Sequence, residues 1–192
     1  GIRRKIRRAH RERVVCTVGR SEPLLRDFYR LQVLTRRRHQ LPPQPLTWFR
    51  NLAAHFGNAV SIRVAYIDGR PIAGILALQH KKTVTFKYGC SNATFHNLGA
   101  VPFLMWDLIR DSTERGYDLL DLGRSSPNNI GLIRFKERLG AMQTDLTYWR
   151  TPHTIRATGI EGPQRVLPSW VSERVPDELL ILIGRALYKH FA

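Results

Sequence analysis

Residues 60–91 carry the pattern that most restricts the fold of this 192-residue chain. In the stretch SIRVAYI, apolar side chains recur at every second residue, and this period indicates a β-strand. The pair Asp68-Gly69 is a hairpin signal, and the nearly continuous apolar run PIAGILALQ that follows suits a central strand. The pair Lys81-Lys82 marks the next turn, after which TVTFKYG alternates again. The segment therefore predicts a three-stranded antiparallel meander.

Helical patterns flank this meander. Before it, Ser21, Glu22 and Pro23 form a helix start signal, and the prolines of RRRHQLPPQP end that helix before a second one begins near Thr47. After it, apolar residues trace one helical face from residue 101 to residue 109. The remaining predicted elements are a strand in VVCTVG, a strand in YDLLDLG, a helix in NIGLIRFKERLG, a final strand in DLTYWR, a loop at 151–163 and two short helices, the first containing Trp170.

The chain is strongly basic, with 31 Lys and Arg against 15 Asp and Glu, a formal charge of +16 and a pI near 11.0. This excess favours phosphate-rich partners: nucleic acid, a nucleotide-sugar precursor or an anionic membrane surface. Residues 1–14 have the pattern of a basic helix with a narrow apolar stripe. Such a helix is either a solvated face or an electrostatic docking surface.

Several classes of protein are disfavoured by what the sequence lacks. Two cysteines, Cys16 and Cys90, are too few for a disulfide framework, so a reducing cytoplasm is expected. No apolar run is long enough to span a bilayer, which limits any contact with the inner membrane to its cytoplasmic face. There is no Walker loop, GxSxG, HExxH or paired CxxC motif, and the seven histidines lack ligand spacing. We therefore predict neither a metal site nor a Ser-His-Asp hydrolase.

The stretch DLGRSSPNNIGLIRFKERLG, residues 121–140, runs from a strand through a polar loop into a basic helix. A loop that opens a helix offers free backbone amides and the positive end of the helix dipole, which suits an anion. The side chains of Arg124, Ser125, Asn128 and Asn129 add donors there. The alternative is that Asn128 only caps the helix and that Arg124 pairs with a nearby acid.

Lys136 lies within the apolar stripe of that helix, together with Leu132, Phe135 and Leu139. Its side chain either extends its ammonium to water or reaches into a partly dry cleft. In a cleft, the ammonium would stabilise an oxyanion or a phosphate.

The element order, a long antiparallel meander followed by helix, strand, helix and strand, is that of the GNAT acyltransferase fold. We therefore predict an α+β protein with a mixed, largely antiparallel central sheet flanked by helices and a helical tail. A typical acetyl-CoA-binding GNAT has a Q/R-x-x-G-x-G/A loop whose amides bind the pyrophosphate. Here the stretch HNLGAV keeps Gly99 but has His96 first and Val101 last, which weakens that binding.

Four stretches resemble the carboxyl-terminal half of FemAB-like proteins, GNAT-superfamily relatives of the peptidoglycan interpeptide-bridge aminoacyltransferases: FYRLQVLTRRRHQLPPQPLTWFRNL, AGILAL, DLGRSSPNNIGLIRFKERLGA and LIGRALYKHF. The resemblance implies that Phe135 and Lys136 match the Phe-Lys pair at the catalytic centre of bridge-forming members, which use aminoacyl-tRNA and a peptidoglycan precursor. GRSSPNN and RRRHQLPP are closer to the branch associated with exopolysaccharide or exosortase loci, which leaves the acyl donor open between aminoacyl-tRNA and acyl-CoA.

Family members usually have two GNAT-like lobes. The resemblance therefore implies that residues 1–14 come from the junction with a missing N-terminal lobe, that residues 15–150 form the GNAT-like domain and that residues 151–192 form a loop and a helical extension. The expected activity is acyl or aminoacyl transfer to an amine of a peptidoglycan or polysaccharide precursor. Two alternatives stay open: an acyl-CoA-dependent N-acetyltransferase, and a non-catalytic basic module that binds nucleic acid or a membrane surface.

The basic cluster at the end of the first long helix precedes a proline-rich turn. Because the last helical turn projects neighbouring residues around the axis, at least one of these side chains must point inward. We predict that Arg36 or Arg38 is buried and hydrogen-bonded, fixing the LPPQP turn, and that Arg37 is exposed. Arg36, Arg38 and His39 are additional candidate substrate-binding residues.

Overall fold

The computed structural model describes residues 1–147, 167–168 and 174–188. The strands are β1 Val15–Gly19, β2 Val60–Ile67, β3 Arg70–His80, β4 Thr83–Ser91 and β5 Leu119–Asp121. The helices are α1 Ile2–Arg11, α2 Glu22–Arg38, α3 Leu46–Phe56, α4 Ala100–Glu114, α5 Ile130–Arg138 and α6 Asp177–Tyr188. Two 3-10 turns, Gly57–Ala59 and Ala93–Leu98, precede β2 and α4.

The strands form one mixed sheet in the order β1-β2-β3-β4-β5. β1 to β4 are antiparallel, which confirms the predicted meander, and β5 runs parallel to β4. The β2–β3 turn has positive φ at both Asp68 and Gly69, as a two-residue hairpin turn requires. β5 pairs only with Thr83–Thr85. In the part of the chain that the structure describes, no strand pairs with the rest of β4 on this side.

Helices cover both faces of the sheet. On one face, α1 and α4 pack against β3, and the buried residues include Ile72, Ile75 and Leu104. On the other face, α2 and α3 pack against β2 and β3, with Phe28 and Phe49 fully buried. The two clusters explain why PIAGILALQ is almost continuously apolar, because β3 is the central strand and its side chains enter both cores.

The basic segment at the start of the chain forms α1, as predicted, and packs against α4. Ala9 is fully buried, and the rings of His10 and Phe103 meet edge to face at 5.1 Å. Gly99 allows the close approach, since a Cβ atom there would lie 2.6 Å from the carbonyl oxygen of Lys5. The narrow apolar stripe of α1 is therefore used within the fold.

A buried arginine links the sheet to α4. The side chain of Arg63 on β2 is only 1% exposed, and its guanidinium contacts Asp107 at 3.1 Å and Asp111 at 2.5 Å. Ser61 accepts a further hydrogen bond at 2.8 Å. The paired carboxylates compensate for the desolvation of the buried cation.

The end of the chain departs in part from the predictions. The helix predicted in LLILIGRALYKHF is present as α6, which packs so closely on the proline-rich turn that Gly184 has no room for a Cβ atom beside Pro43. The strand predicted in DLTYWR is wrong for residues 145–147, which form no strand. Residues 148–150, the loop predicted at 151–163 and Trp170 lie outside the described residues.

Candidate active site

β4 extends beyond β5: all three residues of β5 pair with Thr83–Thr85, so among the described residues no strand pairs with residues 86–91 on this side. Past Asp121 the chain leaves the sheet through a loop that ends at Asn129, where α5 begins. Gly123 takes a positive φ of 71° in this loop, and its N–H donates to the Asp121 carboxylate at 2.7 Å. A Cβ atom at Gly123 would lie 3.9 Å from the carbonyl oxygen of Phe86. The loop therefore lies beside the first residue of β4 that has no partner in β5.

Lys136 is fixed to this loop. Its Nζ atom donates to the carbonyl oxygens of Gly123 at 2.6 Å and Arg124 at 3.2 Å. Partial burial lowers the pKa of the Lys136 ammonium, although the charge of Asp121 acts in the opposite direction. An ammonium has three donors, and the described residues accept from two of them, which leaves the third N–H for a ligand. Phe135 is half-buried and packs against the α1 and α4 core, so it supports the loop-bearing helix from beneath.

The other candidates in the loop differ in exposure. Arg124 and Asn128 are exposed and Ser125 is half-buried. The cap of α5 is Asn129, whose Oδ1 accepts from the Leu132 N–H at 3.1 Å, so the alternative that Asn128 caps this helix is wrong. The structure thus brings Arg124, Ser125, Asn128 and Asn129 into one loop with Lys136 beneath it.

The arginines at the end of α2 hold three different parts of the chain. Arg36 donates to the Pro42 carbonyl at 3.0 Å and to the Tyr188 hydroxyl at 2.9 Å, and burial lowers its pKa, which confirms that an inward arginine fixes the LPPQP turn. The prediction that Arg37 is exposed is wrong: its side chain is 22% exposed and pairs with Asp177 at 2.6 Å. The reason is α6, whose acidic first turn lies beside the end of α2.

Arg38 and His39 are exposed, and Arg38 donates to the carbonyl of Ser91 at 3.1 Å. Ser91 ends β4, five residues after Phe86, a separation of about 16 Å along an extended strand. Arg36 and Arg38 therefore form a second group, separate from the loop that carries Lys136.

Two polar pairs on β4 were missed by the sequence interpretation. The Oγ atom of Ser91 lies 2.9 Å from Nε2 of His96, and Nε1 of Trp48 donates to the hydroxyl of Tyr88 at 3.0 Å. Burial raises the pKa of Tyr88, so its hydroxyl stays neutral. In the sequence, His96 stands out only as the first position of HNLGAV, where backbone amides and not side chains are expected to bind. Its spacing of five residues from a strand-ending serine was the available signal.

Among the residues that the structure describes, no group of three or more His, Cys, Asp or Glu side chains is arranged to hold a metal ion. None of the described helices has the length and apolar character needed to cross a membrane.

Comparison with known proteins gives one family match. The family described as the acetyltransferase (GNAT) domain matches residues 1–137. No curated protein has a sequence that matches this chain.

Solved structures with the same fold include FemX, with a TM-score of 0.60 and 15% identity over 70% of this chain. The chain covers 52% of FemX and so spans about half its length. The aminoglycoside acetyltransferase AAC(6')-Iy, bound to a CoA-containing bisubstrate analogue, has a TM-score of 0.58 and 16% identity, covering 72% of this chain and 97% of that one. An acetyltransferase of Trypanosoma brucei has a TM-score of 0.55 and 18% identity over 72% and 99%. These likenesses confirm the predicted α+β fold.

Proposed function

The chain belongs to the GNAT acetyltransferase family, and from this premise we propose that it transfers an acyl or aminoacyl group to an amine of a cell-envelope precursor. The observation that carries the proposal is the part of β4 that extends beyond β5, together with Lys136, which is hydrogen-bonded to the loop beside it. The unpaired edge of β4 offers backbone donors and acceptors to an extended ligand, in the way that a sheet edge binds an added strand.

Lys136 has the position and charge to act on the acyl group. When an amine attacks the carbonyl carbon, a carbon–nitrogen bond forms and negative charge develops on the oxygen. The remaining N–H of Lys136 stabilises this charge in a partly buried setting, where a preorganised donor is most effective. Its two bonds to the loop keep the ammonium in place before the substrate arrives. The intermediate then collapses, and the bond between carbon and the donor breaks.

The loop above Lys136 supports a role in binding the anionic part of a substrate. Arg124, Ser125 and Asn128 present side-chain donors at the start of α5, where the helix dipole also favours negative charge. Asn129 contributes by capping that helix, which fixes the direction of the loop. Phe135 shapes the acyl pocket from the same helix. These assignments fit a phosphate or carboxylate on a nucleotide-linked precursor.

The choice of a cell-envelope acceptor rests on the resemblance to FemAB-like proteins and on the fold shared with FemX. Because the chain spans about half of FemX, a second lobe would complete the substrate site. In this proposal residues 1–14 adjoin that lobe, residues 15–150 form the transferase domain and residues 151–192 extend it. An aminoacyl-tRNA is then the donor, and the basic surface of α1 faces phosphate-bearing substrates at the cytoplasmic side of the membrane.

A second candidate, an acyl-CoA-dependent N-acetyltransferase, is favoured by the likeness to AAC(6')-Iy, which covers nearly the whole of that enzyme. The start of α4 weighs against it. In this chain the backbone of Lys5 packs directly against Gly99, where a GNAT pyrophosphate loop needs open amides. The two candidates are separated by whether acetyl-CoA or aminoacyl-tRNA supports transfer.

The test uses the intact protein that contains this sequence. Transfer to a uridine-diphosphate-linked muropeptide is measured with aminoacyl-tRNA and with acetyl-CoA as donors. We expect Lys136→Met to lower kcat at least 100-fold, since loss of one transition-state donor costs about 10²–10³ in rate. Lys81→Met, in the exposed β3–β4 turn, is the matched control and should retain wild-type turnover. Wild-type kcat in Lys136→Met would remove this residue from the mechanism.

A further inference from the structure

Trp48 of α3 and Tyr88 of β4 form an aromatic pair for which the transfer step described above has no role. Tyr88 lies in the part of β4 that extends beyond β5. Trp48 is 41% exposed, although its helix packs on the sheet. Resting on the proposed function, which names a cell-envelope precursor as acceptor, we propose that this pair binds a pyranose ring of the acceptor, with the sugar stacked on the Trp48 indole.

The indole of Trp48 is held in one orientation. Its Nε1 atom donates to the Tyr88 hydroxyl at 3.0 Å. The Tyr88 ring packs edge to face on Phe49, with ring centroids 5.3 Å apart, and Phe49 is fully buried in the core between α2, α3 and the sheet. A buried ring therefore supports Tyr88, which in turn fixes Trp48. Because this aromatic surface is already ordered, a ligand that stacks on it pays little for immobilising the side chains.

The Tyr88 hydroxyl matches the hydroxyl groups of a sugar. After accepting from Trp48, its oxygen keeps one O–H donor and a second lone pair. Among the described residues, no other group forms a hydrogen bond with it. Burial raises the pKa of Tyr88, so the hydroxyl stays protonated at neutral pH. Sugar hydroxyls also donate and accept, so one of them can exchange hydrogen bonds with Tyr88 while the C–H face of the ring covers the indole.

Arg36 and Tyr188 add polar groups next to this hydroxyl. Both lie close enough to act electrostatically on the pKa of Tyr88, and they are joined by a hydrogen bond of 2.9 Å. Arg36 donates from Nε to the Pro42 carbonyl and from Nη2 to Tyr188, so Nη1 has no acceptor among the described residues. An aromatic face with a few fixed polar groups at its rim is the usual composition of a small-molecule site.

The geometry of the pair favours a sugar over a nucleobase or an apolar partner. The Nε1–H bond lies in the indole plane, and a hydrogen bond is close to linear, so the Tyr88 oxygen lies near that plane. The N–H groups of a stacked base point along a parallel plane and miss this oxygen, whereas a sugar hydroxyl rotates its O–H toward it. An apolar partner would bury the Tyr88 O–H without an acceptor, which is unfavourable.

A β-bulge sets the position of the pair on the sheet. Leu76 pairs with Tyr88 and Ala77 pairs with Phe86, so Lys87 has no partner in β3. Phe86 and Tyr88 consequently face opposite cores although they are only two residues apart. The sugar is therefore bound on the side of α2 and α3, at most about 7 Å along β4 from Phe86. Its role is recognition of the acceptor, which requires no contact with the acyl carbon.

The closing experiment measures binding without turnover. The intact protein is titrated with N,N′-diacetylchitobiose, a phosphate-free disaccharide, while the indole N–H signals are followed by ¹H–¹⁵N nuclear magnetic resonance. The Trp48 signal is assigned by its absence in Trp48→Phe. We expect this signal to shift with a Kd of about 1–10 mM, and Trp48→Ala to weaken binding about 10-fold. Tyr88→Phe keeps the ring packing and should weaken binding about 3- to 10-fold through the lost hydrogen bond. Trp106→Ala is the matched control, since Trp106 is 47% exposed on α4 at the opposite face, and it should bind as the wild type does.

Steady-state kinetics provide a second readout. Trp48→Ala should raise KM about 10-fold for a sugar-bearing acceptor with kcat unchanged, because a stacking contact is the same in the ground and transition states. For the same acceptor peptide without its sugar, KM should equal that of the wild type. Wild-type disaccharide affinity in both Trp48→Ala and Tyr88→Phe, or a Trp48 signal that shifts with uridine and not with the disaccharide, would overturn this inference while leaving the transfer intact. Disaccharide binding at Trp48 without transfer from any donor would support the sugar site and overturn the proposed function alone.

Discussion

Asp107→Ala should destabilise the protein more than any other change to the ion pairs of α4. The variant leaves Arg63, which is 1% exposed, with only the carboxylate of Asp111, which is itself 37% exposed. Removing one partner of a buried ion pair costs about 3–5 kcal/mol, because the remaining charge stays desolvated. Since Asp111 still contacts the guanidinium, we expect the lower end of this range, about 3 kcal/mol.

Urea unfolding followed by circular dichroism measures this loss. With an m-value of about 2 kcal/mol per molar urea, a loss of 3 kcal/mol lowers the midpoint by about 1.5 M. Asp111→Ala should cost about 1 kcal/mol, because an ion pair with an exposed partner contributes little. Glu114→Ala is the control on the same helix, with a 69% exposed side chain 3.8 Å from Arg110. A midpoint in Asp107→Ala no lower than in this control would refute the reasoning.

Two further predictions concern α4. Gly99→Ala should lower the free energy of unfolding by about 2 kcal/mol more than Gly69→Ala. Both glycines have φ near 70°, but only at Gly99 would the new Cβ atom meet a backbone atom, the carbonyl oxygen of Lys5. Equal melting temperatures for the two variants would show that α1 moves aside freely. Calorimetry should detect no acetyl-CoA binding tighter than about 100 μM, and a low-micromolar Kd would favour the second candidate function.

Local patterns in the sequence were sufficient to predict the three-stranded meander, but not the edge of the sheet, where the strand predicted at residues 145–147 is absent. The alternation in SIRVAYI and TVTFKYG and the Asp68-Gly69 turn signal each depend only on residues a few positions apart. They can therefore be recognised without knowledge of the tertiary structure. The buried state of Arg63 does not follow from such patterns. Its partners lie 44 and 48 residues away, and an arginine in an alternating strand is normally assigned to the exposed face.

In the candidate site, too, local sequence patterns predict the loop but not the contacts between residues far apart in the chain. The loop from Gly123 to Asn129 and the presence of Lys136 beside it follow from one continuous stretch of sequence. The exposure predicted for Arg37 was wrong because its partner, Asp177, is 140 residues away and belongs to a helix whose docking position no local pattern specifies. The pairing of His96 with Ser91 was overlooked because it depends on the position of Ser91, which is hydrogen-bonded to Thr35 and Arg38 of α2.

The contacts between α2 and α6 also affect how the protein is made. Arg36 reaches Tyr188 and Arg37 reaches Asp177, so the proline-rich turn is closed by residues separated from it by about three quarters of the chain. During synthesis α2 and the sheet leave the ribosome long before residues 177–188 exist. The nascent domain must therefore spend several seconds with the guanidinium groups of α2 in water, at a synthesis rate of about 5–20 residues per second. Chaperones or proteases that act on the nascent chain would meet this open form and not the finished one.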